Sequence, residues 1–145
     1  MAISLRDTRP LEKLFTSAIN VAVALVFLVP FFWVDFSALE LKWIFIGLFL
    51  LQNLVAISFF DYRLPGMVVQ NTQWKHPYPL PNQLVHALLY SASFSTLLFW
   101  VWFPGDLLLI NLLLLQWPCI QLTGTTMHGW LSGGMKDVKL SQSAP

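Results

Sequence analysis

His86 and His128 are the side chains whose type and setting best suit chemistry. Each falls within about a helical turn of the end of a long apolar run, where a neutral imidazole can be buried and still meet a polar partner. Imidazole is a common ligand for haem iron and other metals, so the pair points to a cofactor pocket. Gln121, Thr125 and His128 follow one another at i, i+4 and i+7, the spacing that puts three side chains on one face of a helix. An amide and a hydroxyl on that face would orient a ring N–H or bind a ligand oxygen. The expected cofactor-binding set is therefore His86, His128, Gln121 and Thr125, with haem, a chlorophyll-type pigment or a quinone as guest.

Other polar residues gather at the same level. Gln52, Asn53 and Tyr90 lie at a similar depth in neighbouring apolar runs, and Asp61, Arg63 and His76 belong to the stretch that joins them. Two readings stand side by side. In one, these groups line a polar pocket open to the cytoplasm. In the other, Asn20, Gln52, Asn53, Asn111 and Gln116 are amides that hydrogen-bond between helices, Asp61 and Arg63 are interfacial charges or a local ion pair, and His76 sits in a proline-rich segment that shapes a loop.

Sharper motifs are missing from the sequence. It has no H-E-x-x-H zinc pair, no phosphate-binding glycine loop and no G-x-G-x-x-G fingerprint. Gly129-Trp-Leu-Ser132-Gly-Gly has the wrong spacing for a nucleophilic serine and reads as a helix end. Cys119 is the single cysteine, which rules out an intrachain disulfide and leaves a small packing residue. No lysine or carboxylate lies deep in a span, which argues against a Schiff base, a proton relay or ion-coupled transport.

The elements that must position these residues are apolar and long. The 145 residues are 57% hydrophobic and 10% charged, with a mean hydropathy of +0.65, whereas soluble chains carry about 25% charged residues. A net charge of +1 with no basic cluster excludes nucleic acid as a partner. The pattern predicts an all-α integral membrane four-helix bundle made of two transmembrane hairpins, with spans over residues 11–33, 38–60, 83–103 and 107–127. The first span is too long for the apolar core of a cleaved signal peptide and reads as a retained anchor. Pro10 suits a first helical turn, Ser37 and Glu40 form a capping box, Asn82 is the expected N-cap of the third helix, and Pro118 the expected kink in the fourth.

Four spans put both termini and the loop 61–82 on one side of the bilayer. That side carries Arg6, Arg9, Lys13, Arg63, Lys75, Lys136 and Lys139 against Lys42 alone on the other, which makes it cytoplasmic. An aromatic belt of Trp33, Trp43, Trp100 and Trp102 marks the opposite boundary. Ala87, Ser91 and Ser95 form a small-residue face for close helix packing, with Ala18 and Ala22 as a matching surface. Leu50-Leu-Gln52 recurs as Leu114-Leu-Gln116, and Leu64-Pro-Gly-Met67 loosely echoes Ser132-Gly-Gly-Met135, a hint that the two hairpins are related.

Three functions follow. The first is a non-catalytic subunit of a larger membrane complex, with the lipid bilayer and other membrane proteins as partners. The second is a binder of haem, pigment or quinone through His86 and His128. The third is a small membrane enzyme using His76, His86, His128 and Asp61 at the cytoplasmic boundary, with or without a metal. Nothing in the sequence names a reaction, and a protein without catalysis is the expectation.

Overall fold

The computed structural model describes residues 3–95 and 116–142. Helix α1 (Pro10–Leu28) starts with Pro10 in its first turn, while Glu12 accepts the otherwise free N–H of Arg9 at 2.8 Å. A 3-10 turn over Val29–Trp33 extends the apolar run. The Ser37–Glu40 capping box is present: Ser37 N–H donates to Glu40 at 2.8 Å, Glu40 N–H donates to Ser37 Oγ at 3.3 Å, and α2 (Ala38–Phe59) begins there. Pro10–Trp33 and α2, 24 and 22 residues, are each long and apolar enough to cross a membrane.

The buried residues of α1 are Lys13, Thr16, Asn20, Ala24 and Leu28, a narrow stripe recurring every three or four positions. Ala18 and Ala22 are exposed, which corrects the expectation that they form a packing face. Helix α4 (Leu80–Ser95) begins two residues before Asn82, so Asn82 is not its cap; its amide donates instead to Ser132 O at 2.9 Å. Ala87 and Ser91 are buried as the small-residue pattern predicts, and the Ser91 hydroxyl is satisfied by Ala87 O. Helix α4 packs on α2, where the rings of Phe49 and Tyr90 meet edge to face at 5.1 Å. The remainder of the third predicted span, the 104–106 turn, Asn111, the start of the fourth span, and Trp100 and Trp102 lie outside the described residues.

The fourth helix does not run on to residue 127 as expected. Helix α5 (Trp117–Thr123) ends where Gly124 turns left-handed at φ +74° and returns its N–H to Ile120 O, and α6 (Met127–Leu131) starts afresh under a Thr126 cap. Gly133 and Gly134, both at positive φ, follow α6 as the sequence predicts.

The all-α expectation also needs correction, because a three-stranded antiparallel sheet joins both ends of the chain to the central loop. Its order is β1 (Ile3–Asp7), β3 (Asp137–Gln142), β2 (Thr72–Trp74), with Ser4 opposite Ser141 and Thr72 opposite Lys139. Ion pairs tie the sheet to α1: Lys13 with Asp137, and Glu12 with both Arg6 (3.0 Å) and Lys139 (3.1 Å). Hydrogen bonding to Glu12 raises the pKa of the Arg6 guanidinium.

The loop 61–82 is therefore folded, not an open polar surface. Asp61 and Tyr62 are both left-handed (φ +50° and +58°) and reverse the chain, so that α3 (Pro65–Val69) lies back along α1. Gly66 N–H donates to Asn20 Oδ1 at 2.8 Å, and a Cβ at Gly66 would run into the Thr16 carbonyl, so only glycine fits. Asn20 lies about 15 Å along α1 from Pro10, which is how far α3 tucks back. A short helix followed by a strand thus occurs twice, as α3 with β2 and as α6 with β3. The two similar tetrapeptides are not equivalent in it: Leu64–Met67 opens α3, whereas Ser132–Met135 follows α6.

Candidate functional site

Two asparagines start the site because their amides cannot be left unpaired in an apolar layer. Asn20 of α1 donates to Tyr90 Oη of α4 at 3.1 Å while accepting from Gly66, and the Tyr90 hydroxyl passes to Ser17 at 2.9 Å. Asn53 of α2 donates to Phe49 O at 2.8 Å and receives the Tyr62 hydroxyl on Oδ1 at 3.1 Å. Asn20 bonds between helices, the structural reading made of both amides from sequence, whereas Asn53 bonds within α2 and to the turn residue Tyr62.

Tyr62 is fully buried, and its oxygen lies 2.6 Å from His86 Nδ1. The single Tyr62 proton satisfies Asn53 Oδ1, so the Tyr62–His86 bond takes its proton from the imidazole. His86 is thereby the Nδ1–H tautomer, with Nε2 left as an acceptor. Burial, with a smaller contribution from Tyr90, pushes the Tyr62 hydroxyl above the usual phenol range and keeps it protonated. Trp74 stacks on Tyr62 at 5.3 Å and meets the His86 ring edge to face at 5.2 Å. Its indole N–H donates to Tyr62 O at 2.8 Å, fixing the reversed turn.

His86 and His128 come together. Their rings lie 4.9 Å apart and edge to face, at 5% and 8% exposure, and Tyr90 contacts both. His128 Nε2 lies 2.9 Å from Thr126 Oγ1, which also accepts Gly129 N–H. Nδ1 is buried and has no hydrogen-bond partner, and the same holds for Thr16 Oγ1. Both residues line one cavity of about 50 Å³, which Lys13 and Asp137 also border. Burial, then His86 and Lys13, lowers the His128 pKa far below the ordinary imidazole value and keeps the ring neutral.

The other predicted members divide. Thr125 is buried nearby, but its hydroxyl is taken by Met135 O at 2.6 Å. Gln121 is exposed on α5, and the break at Gly124 removes the common face it was expected to share with His128. His76 is exposed against Tyr78, at 4.1 Å between rings. Asp61 is exposed, and no Asp61–Arg63 ion pair occurs among the described residues. Sequence reasoning missed Tyr62 and Trp74. Their one signal was an aromatic pair in a stretch otherwise read as polar loop.

Chemically, the arrangement can hold water or another small polar guest beside Thr16 and His128. A haem, pigment or quinone needs a pocket of about 300–1,000 Å³, several times larger than the cavity here. Among the described residues no three His, Cys, Asp or Glu side chains converge as a metal would require. No protein-family model matches the chain, and neither a curated protein nor a solved structure is significantly similar to it.

Proposed function

We propose that the chain is a four-span membrane protein that works by contact, as a non-catalytic subunit of a larger membrane complex with both termini cytoplasmic. Two membrane-length helices support the bilayer setting. The sheet supports an even number of crossings, since β1 precedes α1, β2 follows α2 and β3 follows α6, so each intervening stretch must return to the same side. The seven Lys and Arg on that side support its cytoplasmic placement.

One observation carries the contact reading. Outside the two long helices, on and near the elements that build the sheet side, the chain exposes Leu5, Val69, Leu80, Trp130 and Leu131. Large apolar side chains exposed outside the spans suit contact with protein or membrane. The histidines, by contrast, lie around a cavity too small for a large cofactor, which weighs against the pigment alternative.

A photo-crosslinking residue at Leu80 or Trp130, irradiated in native membranes, tests the proposal. A single protein adduct of defined mass at both positions is the expected result. Adducts to lipid alone would refute it.

A further inference from the structure

A second, larger space opens between α1, α2 and α3. It measures about 380 Å³, is walled by Val23 and Phe27 of α1 and by Leu48 and Leu51 of α2, and takes in Gln52 and Arg63. Its lining is otherwise apolar, yet Arg63 Nε and both polar atoms of the Gln52 amide are buried without a hydrogen-bond partner. No carboxylate pairs with Arg63 among the described residues. A guanidinium cannot lose its charge by deprotonation, so an apolar setting obliges it to find an anion.

The order of polarity along the groove narrows the choice. Leu48 is near the middle of α2, about 17 Å along the helix from its last residue, Phe59, against about 15 Å for one leaflet of hydrocarbon, and Arg63 follows in the turn just past that end. An apolar trough that begins near mid-membrane and ends on an unpaired cation has the shape and polarity of one lipid standing in one leaflet. Free phosphate would leave the trough empty, and a hydrocarbon would leave Arg63 unpaired.

We infer that this groove binds an anionic phospholipid of the bilayer, its phosphate on Arg63 and an acyl chain against Phe27, Leu48 and Leu51. The inference rests on the bilayer setting proposed above. Arginine suits the role because its planar fork matches two phosphate oxygens at once. An anionic lipid held here would also brace the α3 return, which begins at Pro65.

Native mass spectrometry tests it: the purified chain is stripped of lipid, then offered equal phosphatidylglycerol and phosphatidylcholine in micelles. One phosphatidylglycerol per chain is expected, at about tenfold preference, because phosphatidylcholine offers the same phosphate but brings a cationic choline beside the Arg63 guanidinium. Arg63→Gln should abolish the preference and Arg63→Lys keep most of it. Leu51→Trp should block both lipids without changing the melting temperature, because Leu51 is 55% exposed and the larger ring meets open space. If Arg63→Gln fails to fold, the Leu51→Trp result decides. Equal retention of the two lipids, an unchanged preference in Arg63→Gln, full binding in Leu51→Trp, or a fatty acid or quinone held in preference overturns the inference. Release of the unaltered chain from membranes by alkaline carbonate would overturn the bilayer setting and the lipid site together, whereas retention without lipid preference removes the site alone.

Discussion

Replacing Tyr62 with phenylalanine removes one oxygen and leaves two buried polar groups facing nothing. Asn53 Oδ1 loses its donor at 3.1 Å, and the His86 Nδ1–H loses its acceptor at 2.6 Å. The ring remains, so the stack on Trp74 is kept and no large cavity opens. Each orphaned group costs about 1–3 kcal/mol when buried, which puts the loss at about 2–6 kcal/mol. Hydrogen bonds between membrane helices average nearer ~0.6 kcal/mol, because the unfolded chain in a micelle finds other partners, so about 1 kcal/mol is the floor for two bonds. Reversible unfolding in mixed micelles, followed by Trp fluorescence, measures the difference. Pairing Tyr62→Phe with Asn53→Leu should cost less than the sum of the two single changes, because the second removes an atom the first has orphaned. A loss below about 0.5 kcal/mol, or strict additivity, would refute the view that this network stabilises the fold.

Three more outcomes follow from the geometry. His128 is neutral in the fold with its pKa depressed, whereas the unfolded chain takes up a proton near pH 6.5. His128 should therefore contribute its full stability above that pH and lose up to about 1.4 kcal/mol per unit as the pH drops toward 5; His128→Gln should make the slope shallower, and a melting temperature constant from pH 8 to 5 would contradict the reading. Gly66→Ala should cost about 1–3 kcal/mol and expose α3 to protease, since its Cβ meets the Thr16 carbonyl and neither backbone can yield; a protease pattern like the parent's would show that α3 does not lie on α1. Ser4→Cys with Ser141→Cys, in a Cys119→Ala background, should oxidise to a single intrachain disulfide because the two positions are directly paired, whereas Ser4→Cys with Gln70→Cys should not.

What the sequence determined by itself was local. The apolar length of the first two helices, the Ser37–Glu40 cap, Pro10 at a helix start and the glycines after α6 each depend on residues within about one turn of one another, so composition and spacing suffice to read them. The meeting of His86 and His128 was legible in outline, since two helices ending on one side bring their terminal residues to one level. Tertiary structure alone decided the rest. The sheet pairs Ile3 with Gln142 and Thr72 with Lys139, partners that periodicity within a segment cannot link. The return of α3 depends on two consecutive left-handed residues, Asp61 and Tyr62, neither of them glycine; the fold sustains that costly turn through the burial of Tyr62 and its bonds to Asn53, His86 and Trp74. Gln121 left the site because Gly124 broke a helix that the apolar pattern carried straight through. Arg63 and Gln52 came to share one groove only because that same reversed turn folds the chain back beside α1 and α2.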